Sequence, residues 1–239
     1  MVKEIENPNN KKLKISGIKY SSDSIDASIP YPLPQGCFFF GLFGKPGSGK
    51  TTFLINLLAK KGRFYNQKFD KVFIFSPSIF SGNLKNNPFD ALPEDQKHTD
   101  LDKLDEVIAD IYGSDEKVCM VFDDVQAELR GETLNTFLDL VNNRRHYTTQ
   151  SVSIILCSQV YNQINLRVRK GLSHIVFWSS KNRKEIKSLQ EEYLSFLDDK
   201  ELKEMLNYTW KTKYDFLFIS TYAPQDKMLF RNFNSLILL

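Results

Sequence analysis

The sequence predicts an α/β fold: a mainly parallel central sheet covered by helices on both faces and closed by a C-terminal antiparallel hairpin. Three observations lead there. Short apolar runs rich in β-branched and aromatic residues alternate with longer amphipathic stretches, which is the signature of strand–helix crossovers. The first five runs are apolar nearly throughout, as strands buried on both faces must be. The last two are joined only by Thr221-Tyr222-Ala223-Pro224-Gln225-Asp226, too short for a crossover, so they pair antiparallel at the sheet edge. A chain of 239 residues suits one large domain with a substantial core.

Taken in order, residues 1–35 read as an N-terminal extension, and 36–239 as the domain. The extension mixes Lys, Ser and Asn and ends in Ile29-Pro30-Tyr31-Pro32-Leu33-Pro34, whose prolines hold their neighbours out of a helix. The strand candidates are 37–43, 71–76, 118–123, 152–158, 174–179, 216–220 and 228–233, and the closing Leu236-Ile237-Leu238-Leu239 is a strand end. Helical stripes fall at 50–61 (Phe53, Leu54, Leu57, Leu58), at 101–111 (Leu104, Val107, Ile108) and at 132–143 (Leu134, Phe137, Leu138, Val141). The stretch 182–206 reads as one long helix, strongly charged on its outer face. Residues 77–100 hold Gly82, Asn87-Pro88 and Leu92-Pro93 and are too long for an idle connection. There are no internal repeats.

Composition excludes several classes. With 41% hydrophobic and 26% charged residues the chain is not of disordered type. A net charge of +3 speaks against a highly basic nucleic-acid coat, though not against a local basic surface. Cys37, Cys119 and Cys157 each sit in an apolar run without Cys or His at metal-ligand spacing, so they read as buried thiols of a reducing compartment. Residues 1–14 are polar, without a secretory h-region, and no apolar stretch approaches the ~20 residues of a membrane helix. The expectation is a soluble intracellular protein with no membrane partner.

The strongest motif is Gly44-Lys45-Pro46-Gly47-Ser48-Gly49-Lys50-Thr51, a full match to G-x-x-x-x-G-K-[ST]. It lies where its chemistry requires, between an apolar strand and an amphipathic helix. Glycines let the backbone wrap so that successive N–H groups face phosphate oxygens, and the helix N-terminus adds positive potential. This makes the domain a P-loop NTPase. Gly44, Lys45, Pro46, Gly47, Ser48, Gly49, Lys50, Thr51 and Thr52 are the nucleotide-contacting candidates, for ATP with Mg²⁺. Lys50 reaches the terminal phosphates and the Thr51 hydroxyl binds Mg²⁺. A glycine turn capping a helix is the plainer reading of the same residues.

Val118-Cys119-Met120-Val121-Phe122-Asp123-Asp124 is an apolar strand ending in two acids. A strand parallel to the first brings both to the ligand-binding edge of the sheet. Asp123 is then the second Mg²⁺ ligand and Asp124 the residue that polarises water, against the plainer alternative of a capped strand-to-loop turn. Run 152–158 ends in Gln159, whose neutral amide can orient water and sense the γ-phosphate, or simply bind its own loop. Arg144 and Arg145 end the helix after the acidic strand, where they either cap its carbonyls or serve as a finger for a neighbouring subunit's ATP. Arg169, with Arg167 and Lys170, forms a second such cluster. His146 and His174 have no catalytic companions and read as structural or surface residues.

The phosphate loop, the Asp-Asp strand, Arg145, Ser153-Ile154-Ile155-Leu156-Cys157-Ser158-Gln159, Arg169, the strand from His174 and the closing Lys227-Met228-Leu229-Phe230-Arg231-Asn232-Phe233 occur in that order. Together they resemble the genome-packaging ATPases of large DNA viruses and virophages, the poxvirus-type branch of the FtsK–HerA motor class. The resemblance spans roughly residues 36–235. It implies an additional-strand, RecA/FtsK–HerA-like fold working as a homo-oligomeric ring, hexameric or pentameric, with double-stranded DNA in its pore. It also implies capsid or portal-site protein partners and action in the cytoplasmic virus factory or with the virion. On that resemblance Gln159 is the sensor, Asp123 and Asp124 are the acidic pair, and Arg145, Arg144 or Arg169 completes the next subunit's site. Two departures stand out: the second acid is often Glu in the cellular motors, and the often polar position two after Arg169 is Gly171. The alternatives of other classes are a P-loop nucleoside or nucleotide kinase and a non-hydrolysing, ATP-switched assembly factor.

Overall fold

A computed structural model describes residues 24–62, 64–82 and 84–238. The first 23 residues of the expected extension, with the polar start at 1–14, lie outside the described residues.

Strands β1 (Phe39–Phe43), β2 (Lys71–Phe75), β3 (Lys97–His98), β4 (Val118–Asp123), β5 (Val152–Ser158), β6 (His174–Trp178), β7 (Phe216–Ser220), β8 (Leu229–Arg231) and β9 (Ser235–Leu236) form one sheet. Its order is β3-β2-β4-β5-β1-β6-β7-β8-β9. From β3 to β6 every pairing is parallel, and from β6 to β9 every pairing is antiparallel. The decisive feature is β5, which lies between β1 and β4. The strand leading into the phosphate loop is thereby separated from the acidic strand by one intervening strand, the additional-strand arrangement.

Side-chain alternation sorts each strand onto two apolar layers. Phe39, Phe43, Met120, Phe122, Ile154 and Leu156 face α2 (Leu104–Ile111), α3 (Gly131–Asn143), α5 (Arg183–Tyr193) and α6 (Asp199–Thr209). Phe40, Leu42, Cys119, Val121, Ile155 and Cys157 face α1 (Lys50–Leu58). These side chains are sealed from water, each worth about 1.5–3 kcal/mol of burial for a large apolar group. The α1 face carries one α-helix among the described residues, and its remaining cover includes Phe89 on a short 3-10 turn at Pro88–Ala91 and non-helical chain. Ile29 and Leu33 from the N-terminal extension close part of it, and the Tyr65 hydroxyl donates to the Pro34 carbonyl at 2.7 Å.

Three expectations change. The long helix at 182–206 is two helices, α5 and α6, broken at 194–198, because Leu194 and Leu197 turn into the core and Asp198 starts a new helix. Asp198 accepts from the Lys200 and Glu201 amides while Glu201 accepts from the Asp198 amide, a complete capping box. The C-terminal hairpin is not the last edge, because β9 pairs with β8 beyond it. The 77–100 excursion contributes β3 at the opposite edge, beside β2.

Candidate active site

The strand registers decide what meets at the carboxyl edge of the sheet. Phe75 pairs with Phe122, Asp123 with Cys157, and Phe43 with Ser158. The residues just past these pairs are Ser76, Asp124, Gln159 and Gly44, so four loops separated widely in sequence emerge side by side. Two backbone bonds lock that edge: the Gly44 amide to the Ser158 carbonyl at 3.2 Å and the Asp124 amide to the Cys157 carbonyl at 3.1 Å.

The loop 44–51 has the backbone its glycines permit. Gly47 (φ 73°) and Gly49 (φ 107°) occupy the left-handed region, and Gly49 precedes α1 with no side chain capping the helix. The first amides of α1 are thus left to an anion from outside the helix. A Cβ on Gly44 would stand 2.6 Å from Ser48 Oγ, so glycine is required there by packing. Lys50 is 8% exposed and its Nζ donates to the Gly44 carbonyl at 2.6 Å, which folds the side chain back over the loop.

The two acids have unequal surroundings. Asp123, 3% exposed, accepts from Ser76 Oγ at 2.9 Å and Ser78 Oγ at 3.5 Å. Burial, then the charge of Asp124, push its carboxyl above the usual range, against the pull of Ser76, Lys50 and Ser78. Asp124 stands in the left-handed region at φ 56°; its Oδ2 accepts from Gln159 Nε2 at 2.8 Å, and its buried Oδ1 has no partner. Ser48 Oγ is likewise buried without a partner. Buried polar atoms left unsatisfied on the phosphate loop and at the end of the acidic strand leave bonds for a ligand to make. The donor set suits Mg²⁺: a threonine hydroxyl at Thr51 and the carboxylate of Asp123. No group of three or more His, Cys, Asp or Glu among the described residues could hold a metal alone, so phosphate oxygens would complete the shell.

The cleft they line measures about 560 Å³ and holds Pro46, Gly47, Gly49, Lys50, Thr51, Thr52, Asp123, Asp124 and Gln159. Of the remaining loop positions, Lys45 is exposed, Gly44 is buried, and Ser48 is buried and lines a neighbouring recess that shares Gly49 and Thr52 with the cleft. The cleft also contains Ser78, Lys213 and Tyr214, none of which the sequence singled out. Ser76 ends the 71–76 run and Ser78 lies at the start of the 77–100 excursion, and only the β2–β4 register reveals their contact with Asp123.

The arginines do not join the site of their own chain. Arg144 donates to the Val141 carbonyl at 2.7 Å, the capping role, and its own carbonyl accepts from the Val152 amide. That places Arg144 at the start of β5, one strand length (about 20 Å) from Gln159 at the end. Arg145 is the next residue, exposed, at that same far end. Arg169 lies on α4 (Leu166–Arg169), is 8% exposed, and pairs with Glu192 at 2.9 Å and Asn162 at 2.8 Å while covering the Tyr161 ring. Both terminal nitrogens of Arg169 are thus held within its own chain, as a strut rather than a finger, while its buried Nε has no partner among the described residues. Burial raises all three cysteine thiols, so none is a poised nucleophile. Burial, then Arg144, lower His174 to about 3, leaving it a neutral ring stacked on Phe218.

A family profile described as Poxvirus A32 protein matches residues 32–219. The chain belongs to that family. This agrees with the resemblance to poxvirus-type packaging ATPases carried by the phosphate loop, the acidic pair and the strand ending in Gln159. Among solved structures, the fold is similar to the genome packaging NTPase B204 of Sulfolobus turreted icosahedral virus 2 in complex with sulfate. That match has a TM-score of 0.58 at 14% identity and covers 84% of this chain and 98% of that one. The same NTPase with AMPPCP gives 0.56 at 14% identity, covering 82% and 96%. The pCW3 conjugation coupling protein TcpA with ATPγS gives 0.54 at 12% identity, covering 81% and 59%. No curated protein sequence matches significantly. At such identities these likenesses establish the P-loop NTPase fold. Among the described residues no helix is long and apolar enough to cross a membrane.

Proposed function

We propose that this A32-family chain is an ATP-hydrolysing motor that drives double-stranded viral DNA into a capsid, acting as a ring with its ATP sites at subunit interfaces. One observation carries the reading: β5 inserts between β1 and β4 and sets Gln159 in hydrogen-bond contact with Asp124, beside the phosphate loop. A phosphotransferase needs no such pair, because its acceptor takes the place of water. The family supports a packaging role, and B204, solved with ATPγS and AMPPCP, is a genome packaging NTPase of the same fold.

In this reading the loop amides and Lys50 hold the phosphates and stabilise the charge that develops on the γ-phosphate. Thr51 and Asp123 would hold Mg²⁺, which supplies further neutralisation of phosphate charge. The two oxygens of Asp124 differ in their surroundings. Oδ2 is engaged by Gln159, and Oδ1 is buried without a partner among the described residues. The carboxylate they form, at the cleft wall, is the proposed acceptor of a proton from the attacking water. Loss of the γ-phosphate changes what Gln159 can bind, and Gln159 in turn bears on β5 at the centre of the sheet. Arg145 is the best placed of the arginines for a neighbour, since it is exposed at the end of the sheet away from its own site. Capsid or portal-site proteins are the expected docking partners, and the virus factory or the virion is the place of action.

ATPase activity measured with and without double-stranded DNA on size-fractionated protein tests the whole reading. Inorganic phosphate release that is stimulated by DNA and confined to the assembled fraction is expected. Phosphate transferred to a second nucleotide, or hydrolysis unaffected by both DNA and assembly, would overturn it.

A further inference from the structure

The cleft over the phosphate loop is roofed from one side by residues that belong to no motif. Lys213 and Tyr214, both exposed, lie in the loop between α6 and β7. A Cβ placed on Gly47 would stand 3.7 Å from Lys213 Nζ, and one placed on Gly49 would stand 3.7 Å from Tyr214 Cδ1. The side chains therefore hang directly above the two left-handed glycines. The Lys213 ammonium also lies over the Tyr214 ring, 5.2 Å from its centroid.

This loop is pinned in place. Asp215, 5% exposed, accepts from the Thr212 amide at 2.7 Å, from Arg231 Nη2 at 3.1 Å and from Asn232 Nδ2 at 2.5 Å. Asn232 Oδ1 in turn accepts from the Phe216 amide at 2.8 Å. Burial by itself would raise the Asp215 carboxyl, but the bonds from Asn232, Thr212 and Arg231 hold it at about 2, so it is ionised wherever the protein is folded near neutrality. Beside Tyr214 opens an aromatic recess of about 460 Å³ containing Phe53, Trp178, Phe216 and Phe233, which shares Gly49 and Thr52 with the phosphate cleft. A cation thus stands over the phosphate end and a ring over the apolar end of one continuous depression.

From this geometry we propose that Lys213 and Tyr214 form a same-chain clamp on a purine nucleoside triphosphate, with Lys213 pairing to phosphate oxygens, Tyr214 covering the base against the aromatic recess, and Asp215 as the positioning residue. The inference rests on nucleotide binding at the phosphate loop and adds a second element to it. A compact ammonium suits phosphate oxygens as a point charge, and its contribution grows with the charge on the ligand. A stacked ring is indifferent to phosphate number.

Calorimetric titration of the full chain with AMPPNP and with AMP, both in Mg²⁺, separates these roles. Lys213→Ala should weaken AMPPNP about tenfold while changing AMP by no more than about twofold, and Lys213→Arg should recover most of the loss. Tyr214→Ala should weaken both ligands by a similar factor of about five, recovered by Tyr214→Phe. Both positions are exposed, so melting temperatures should match wild type. If Lys50→Ala loses AMPPNP but Lys213→Ala keeps the wild-type ratio of AMPPNP to AMP affinity, the clamp is wrong and the loop assignment stands. If wild type binds no AMPPNP, or Lys50→Ala binds it as tightly as wild type, the phosphate-loop reading fails and the clamp with it.

Discussion

Adjacent carboxylates on one strand end are rarely equivalent, and here the difference fits the two tasks proposed for them. Asp123 is buried, held by Ser76 and Ser78, and lifted in pKa by burial and by its neighbour, the condition of a carboxylate suited to a cation. Asp124 keeps one oxygen for Gln159 and one without a partner. An Asp124→Asn chain retains the acceptor oxygen but not the base. It should bind AMPPNP as wild type does and lose about a hundredfold or more in turnover, read by single-turnover hydrolysis beside a binding titration. Turnover at the wild-type rate would make Asp124 purely structural. Lys50→Ala removes the loop's own buried ammonium, and steady-state ATPase assays should find activity down about a thousandfold. Its folding should be little affected, since among the described residues the ammonium bonds only to the Gly44 carbonyl.

At the scale of elements, α4 and α5 are tied by Arg169 and Glu192, a nearly buried ion pair beneath the Tyr161 ring. Removing one partner of such a pair leaves an uncompensated charge at a cost of about 3–5 kcal/mol. Arg169→Ala should therefore lower the melting temperature by on the order of 10 °C in a calorimetric scan. A finger arginine would lose turnover at unchanged melting temperature, so the scan distinguishes strut from finger. The elements also show where sequence was enough. The five longer parallel strands were legible because their runs are apolar nearly throughout, whereas the two-residue β3, Lys97–His98, was not. The phosphate loop was legible because its chemistry is written in consecutive residues. The break between α5 and α6 was written too, in Asp198-x-x-Glu201 following a buried Leu197, but the charged outer face hid it. Ser76, Lys213 and Tyr214 were not legible. Ser76 meets Asp123 across 47 positions, and Lys213 reaches Gly47 only once β7 has paired antiparallel to β6.

For the whole molecule, the fold separates the finger candidate from the site it would serve. Arg144 and Arg145 stand at the start of β5 and the ATP cleft at its end, so a single subunit cannot supply its own arginine from there. Mixing Arg145→Ala with Lys50→Ala subunits should restore part of the ATPase activity that each lacks alone, measured against total protein. If the mixture only sums the two residual activities, Arg145 has no role across an interface. The modest charge of +3 per chain is compatible with such an assembly, because copies arranged around one pore concentrate their basic residues on a single DNA segment.

The segment at 24–35 has a bearing on how this domain can be cut or joined to others. Ile29 and Leu33 are part of the apolar layer over α1, Asp26 pairs with Lys68 at 3.0 Å, and Pro34 receives the Tyr65 hydroxyl. The motif-bearing region starts after this strap, yet the strap is a wall of the same core. A shortened version beginning at Gly36 would keep every candidate site residue and still lose Ile29 and Leu33 from the apolar layer, and with Pro34 the acceptor of the Tyr65 hydroxyl. The unit that can be expressed, fused or exchanged between relatives therefore has to include Asp26 and all that follows it, well before the phosphate loop begins.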